Sequence, residues 1–171
     1  MGTTTSLWIW IAGSVIVGLL TFTIARSYFS HTLQITAEKR CLEQYVELAN
    51  QINELCWSFS LNKREYSLIL PERVEGLYVT DNKYLEFSKE EHVERILNGT
   101  ESLGNYLCIK IEGRKKDCVE LDCKARMPHL GAVPPEFSLS ALINKFLGYP
   151  TEFKYELELI KINDTVIIER K

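Results

Sequence analysis

The chain has 171 residues, 46% of them hydrophobic and 25% charged, with a formal net charge of −3. That length holds one ordinary domain with an appendage, and the composition excludes wholesale disorder. So small a net charge provides no broad basic face, which argues against nucleic acid as a partner.

The apolar residues are spread unevenly. Leu7 to Ala25 (LWIWIAGSVIVGLLTFTIA) is a run of 19 residues without a charge. As a helix it would extend about 28 Å, close to the hydrocarbon thickness of a bilayer. Trp8 and Trp10 sit at one end and Tyr28 at the other, where an aromatic belt would place them. A buried core helix and a cleaved secretory signal are the competing readings. The run is long for either, no basic residue precedes it, and no small-x-small site follows. A retained single-pass membrane anchor is the expectation, with the lipid bilayer as its first partner. Within the run, Gly13, Ser14 and Gly18 supply a small-residue face that would let helices approach closely.

Two signals set the orientation against each other. Arg26, Lys39 and Arg40 follow the run and none precedes it, which by the positive-inside rule keeps the body in the cytoplasm. The sequons Asn98-Gly-Thr100 and Asn163-Asp-Thr165 accept glycans only outside, and five cysteines in a small β-rich domain also suit an oxidising compartment. The balance favours a body outside the cell membrane.

Helical patterning continues past the run. Cys41, Tyr45, Leu48, Ile52, Leu55 and Phe59 recur at spacings of 4, 3, 4, 3 and 4, a packing seam of period near 3.5. Leu42, Val46, Ala49 and Cys56 widen it. With no Pro or Gly between Arg26 and Phe59, one long helix is expected from about Leu7 to Trp57, the alternative being a bend near Ser27 to Ser30. The seam predicts a helix lying on its own domain's sheet, with a bundle shared among copies as the alternative.

Beyond Leu61 the pattern shortens to β-like runs: Tyr66 to Leu70 before Pro71, then Gly76 to Thr80 before Asp81-Asn82. Ser88 with Glu91 predicts a capping box for a helix over Lys89 to Leu97, stopped at Asn98-Gly99. Tyr106 to Glu112 and Cys118 to Lys124 read as strands around the loop Gly113 to Lys116. Met127 to Glu136, with three prolines, reads as a connector, and Ser138 as the cap of a second short helix over Leu139 to Leu147. Strict alternation in Phe153 to Leu159 and a return over Thr165 to Glu169 predict a closing hairpin through Asn163-Asp164. The fold class is therefore α+β: a long helix on a small, mostly antiparallel β domain with two short helices. Its parts are a transmembrane anchor (1–29), an amphipathic helix continuing it (30–60) and a β-rich soluble domain (61–171).

Catalytic and metal chemistry find no motif. Zinc would want paired short cysteine spacings, and Cys118 with Cys123 lacks its partner pair. No catalytic, cofactor-binding or metal-ligating residue is expected, and His31, His92 and His129 read as surface residues. Glu90, Glu91 and Glu94 read as a solvated face, and Arg114-Lys115-Lys116 as a basic loop tip in reach of headgroups or an acidic partner. Cys56, Cys108, Cys118 and Cys123 are disulfide candidates. Cys108–Cys118 and Cys118–Cys123 both fit a hairpin, Cys56 is able to tether helix to sheet, and plain buried thiols stay open.

The opening MGTTTSLWIWIAGSVIVGLLTFTIA, running into an amphipathic helix on a β domain, resembles the type IV pilin plan. It is similar to archaeal pilin-like accessory proteins, the archaellum stator proteins among them, and the closing YELELIKINDTVIIERK resembles their C-terminal hairpins. The resemblance implies an exported, uncleaved, anchored body in a surface filament or motor. It also implies self-association or contact with other surface-assembly proteins.

Overall fold

The computed structural model describes residues 3–58, 63–131 and 148–171. It is an α+β structure. Helix α1 runs unbroken over Thr3–Trp57. Strands β1 (Lys63–Pro71), β2 (Val74–Thr80), β3 (Glu101–Ile111), β4 (Asp117–Pro128), β5 (Glu152–Ile162) and β6 (Thr165–Arg170) follow, with helix α2 (Lys89–Leu97) between β2 and β3. The helix is continuous as expected, without the alternative bend near Ser27 to Ser30, and α2 has the predicted bounds and the complete Ser88–Glu91 capping box. The expected helix over 139–147, its cap Ser138 and the seam residue Phe59 lie outside the described residues.

The strands form one sheet in the order β1-β5-β6-β4-β3-β2, antiparallel throughout except for the β4–β6 pair. Strands β1 and β2 occupy opposite edges although only Glu72 and Arg73 separate them. Pro71 and Val74 are thus within about 11 Å, the reach of three peptide units. The sheet must curl until its two edges meet at that corner, and the trough it makes receives α1. Cys41, Tyr45, Leu48, Ala49, Ile52 and Leu55 fill the trough, against Leu68, Leu107, Ile109, Leu121, Leu157, Leu159 and Val166. The seam therefore serves the domain's own core. Tyr45 is fully buried, and its hydroxyl donates to the carbonyl of Leu107 at 2.8 Å.

Both edges are covered. Along β1, the Gln44 side-chain oxygen accepts from the backbone N–H of Ile69 at 2.9 Å, and the Tyr66 hydroxyl donates to the Gln44 carbonyl at 2.8 Å. Along β2, Leu77 and Leu130 exchange backbone hydrogen bonds of 2.6 and 2.9 Å. An open edge is a template for pairing with other chains, and these contacts blunt it. The proline-rich stretch starting at Met127 is correspondingly less of a connector than its composition predicts. Met127 and Pro128 end β4, with Met127 buried, because a proline at a strand's last position forfeits no interior hydrogen bond.

Covalent links close the design. Between Gly104 and Tyr106 the β3–β4 register slips, and four β4 residues, 121–124, oppose Asn105. The extra residues reach α1: Trp57 Nε1 donates to Asp122 at 2.8 Å, and Cys123 is bonded to Cys56. Cys108 and Cys118, direct cross-strand partners, form the other disulfide. The Cys56 bridge closes a separation of 67 residues and the Cys108 bridge one of 10. Loop entropy then assigns about 4 kcal/mol of stabilisation to the first and about 3 kcal/mol to the second. Replacing Cys56 and Cys123 together by Ala should therefore lower the denaturant midpoint more than replacing Cys108 and Cys118. Equilibrium unfolding of the two double variants in detergent checks this, and equal midpoints would contradict it.

Candidate functional site: the apolar helix and the cleft at its waist

Helix α1 has two halves with opposite surroundings. From Leu7 to Ile24 every side chain is exposed, Trp10 at 79% and Ile24 at 69%, and the domain covers none of this stretch. It is a helix long and apolar enough to cross a membrane, near the N-terminus. Its polar side chains are compatible with lipid because each returns to its own backbone. Ser14 donates to Ile11 at 2.8 Å, Thr21 to Val17 at 2.7 Å and Thr23 to Leu20 at 2.8 Å. No hydroxyl in the run is thereby left without a partner in hydrocarbon, where an unpaired polar group costs several kcal/mol. Ser14 and Gly18, four apart, share a face with open space above Gly18, while Gly13 lies to one side of it.

The halves meet at a waist built around Glu38. This carboxylate is 4% exposed and lies between two guanidinium groups, that of Arg73 and that of Arg114 at 2.9 Å. A buried carboxylate is tolerated only when paired and hydrogen-bonded, so Glu38 holds the β1–β2 corner and the β3–β4 loop on the helix. The supposed solvent tip Arg114-Lys115-Lys116 is thus partly structural: Lys116 also donates to the Leu85 carbonyl at 2.5 Å. Next to Glu38, the free thiol of Cys41 is pushed up to about 12 by its burial and then by Glu38, so it stays protonated.

Below Glu38 a cleft of 440 Å³ separates α1 from the segments 71–73 and 148–151. Arg26, Ser27 and Ser30 line its helix side, and Arg73 and Tyr149 face them. Gly148 has φ +78° and approaches so closely that an added Cβ would stand 3.0 Å from that of Ser30. Phe29 and Tyr149 meet edge-to-face at 6.2 Å, fixing this segment against the helix just past the apolar run.

Two histidines expected at the surface are instead buried. His92 is 1% exposed and His129 4%, their rings 5.9 Å apart within a cluster that includes Tyr78 and Phe87. Tyr78 stacks on His129 at 5.1 Å. His92 is the one buried residue of α2, and its ring occupies the space where a side chain on Gly76 would sit, 2.3 Å from the would-be Cβ. Nδ1 of His92 and both nitrogens of His129 have no hydrogen-bond partner among the described residues. Glu91 and Arg95 of α2, Lys110 of β3, and Glu86 and Lys116 at the small gap beside His92 are the charges around the pair. Burial pulls each imidazole down to about 4, with His92 and Arg95 reinforcing the shift of His129. The sequence signal was masked by the acidic residues beside His92. His31 is exposed on α1.

Among the described residues no group of three or more His, Cys, Asp or Glu side chains is placed to hold a metal ion. The sequon residues Asn98 and Asn163 are both exposed, Asn98 capping α2 and Asn163 at the β5–β6 turn with φ 54°. Comparison with protein-family models, curated proteins and solved structures found no match.

A histidine lowered by folding resists protonation in the native state, so its stabilising effect is complete above its ordinary value of 6.5 and is lost as pH falls toward 4. At ~1.4 kcal/mol per pH unit, each ring accounts for up to about 3 kcal/mol over that window. Thermal unfolding should show the midpoint falling between pH 6.5 and 4. Replacing His92 and His129 by Phe should flatten that dependence, and an unchanged slope would disprove the assignment.

Proposed function

We propose that this protein is a membrane-anchored, extracytoplasmic structural or scaffolding protein. In this reading it is non-enzymatic, and it is pilin-like or accessory to a surface filament or motor. The observation that carries the reading is the division of one continuous helix. Its first half is bare, apolar and internally hydrogen-bonded, and its second half is the spine of a folded domain. A rigid helix of this kind attaches the body at a fixed height above the bilayer without a flexible linker.

Two disulfides support an oxidising exterior, since thiols are kept reduced in most cytosols. Exposure of both sequon asparagines at turns is in keeping with this side. The groups best suited to acid–base or nucleophilic work are held inactive. Cys41 stays a buried thiol, and burial keeps His92 and His129 neutral near pH 7. Lateral contacts would use the Ser14/Gly18 face, with self-association or other surface-assembly proteins as partners. Arg26 directly after the apolar run favours the second reading, a single-pass subunit with its body in the cytoplasm. An anchored receptor- or adhesin-like module is the reading without self-assembly.

A membrane-impermeant thiol reagent on intact cells separates the two sides. An exterior body should label only after external reductant, because four cysteines are bridged and Cys41 is buried. Labelling confined to lysed cells would place the body inside and end the proposal. Gly18→Leu should in addition reduce the oligomeric size of the detergent-solubilised protein. An unchanged size would favour the binding module.

A further inference from the structure

We propose that Asn98 carries an N-linked glycan whose first sugars lie along the outer face of α2, an inference that rests on the exterior body proposed above. The sequon Asn98-Gly99-Thr100 is also the stop of that helix. The N–H of Thr100 donates to the Arg95 carbonyl at 2.9 Å and that of Gly99 to Ile96 at 3.2 Å, with Gly99 at φ +62°. This is a Schellman turn, in which the sequon residues are the C-cap and the two positions after it. The N–H of Asn98 in turn donates to the Glu94 carbonyl at 2.9 Å. Backbone groups thus end the helix, and the exposed side-chain amide of Asn98 is left for attachment. Among the described residues no atom comes within 4 Å of a Cβ built on Gly99, so the turn has room for a bulky substituent.

The surface beside the sequon is the second observation. His92 and Ile96 turn toward the sheet, His92 against Gly76 and Ile96 against Gly131. Val93 and Leu97, one turn apart, border instead a surface groove of 480 Å³ together with Lys89, Glu90, Glu94 and Asn98. Leu97 is 68% exposed, so this nine-residue helix shows apolar side chains on its outer face as well. A pyranose ring fits such a surface. Its C–H face packs on Val93 and Leu97, and its hydroxyls hydrogen-bond the charged groups of Lys89, Glu90 and Glu94. The groove follows about 14 Å of helix, enough for more than one ring. Because Asn98 borders the groove, a tethered sugar is held there at high effective concentration and needs little affinity of its own. Attachment joins the Asn98 amide nitrogen to the anomeric carbon of a lipid-phosphate-linked oligosaccharide supplied by a membrane glycosyltransferase. The donor's anomeric C–O bond breaks, its phosphate leaves with the bonding pair, and one amide proton passes to a base of the transferase.

The test takes the full chain from the membranes of its own cells, with intact mass and glycopeptide mapping that separates Asn98 from Asn163. The wild-type mass should exceed 19.7 kDa by at least one oligosaccharide, mapped to Asn98. Asn98→Gln and Thr100→Ala should each remove that mass, whereas Thr100→Ser should keep it. Since backbone groups make the helix stop, all three variants should retain both disulfides. The seating of the sugar is read by carbene footprinting with a diazirine reagent. Labelling of Leu97 should roughly double in Asn98→Gln, and equal labelling of the two forms would overturn the contact with α2. An unmodified Asn98 on a body that the thiol reagent places outside would overturn the glycan and leave the exterior reading standing. A body labelled only after lysis would defeat both.

Discussion

An α-helix without a break is obliged to present every residue to some neighbour, and the two halves of α1 do so in different ways. Its backbone hydrogen bonds are satisfied internally, which frees the side chains to match whatever surrounds them. Over Leu7 to Ile24 that match is apolar all round, with hydroxyls folded back onto the helix. Over Cys41 to Leu55 it is one-sided, a seam facing a sheet and polar residues facing out. The change of regime falls at residues 26–38, where Arg26, the cleft and the Glu38 ion pairs are found. Everything else in the domain is arranged to receive the second half.

That arrangement dictates the curvature of the sheet. A flat six-stranded sheet would touch the helix along a strip. A trough surrounds it, and closing the trough brings β1 and β2 together at Glu72-Arg73. Strand β2 then has to be buried on both faces. Leu77 and Val79 enter the core under α1, and Tyr78 and Gly76 face α2 on the other side. The histidine pair is the filling of that second, smaller layer. Its rings pack as aromatics while neutral, so the docking of α2 relies on side chains that elsewhere would be hydrated.

Local features of this fold were readable in the chain and distant ones were not. The seam declares itself because burial on a helix repeats every three or four residues, and Ser88 to Glu91 because a capping box closes within one turn. The closing hairpin was legible from its alternation and its Asn163-Asp164 turn. Nothing in Tyr66 to Leu70 indicates that its partner is Phe153 to Leu157, or that its sequence neighbour β2 lies at the far edge. His92 was misread because Glu90, Glu91 and Glu94 made its helix look solvated. Of the candidate site, the apolar run is continuous and plain. The cleft is assembled from segments around residues 30, 72 and 149, and Arg114 meets Glu38 from a loop distant in sequence, pairings no periodicity encodes.

The bridge between Cys56 and Cys123 also determines where a force applied along α1 would go. A pull along α1 would reach its last turn and pass there, through sulfur, into β4. The apolar seam is thereby spared from sliding, since the helix cannot leave its trough without breaking a covalent bond. Chain between the bridged positions, including α2 and its histidines, lies outside the direct force path. Pulled by its tail, this domain is a link in a chain, with the yielding parts set in parallel to the strong ones.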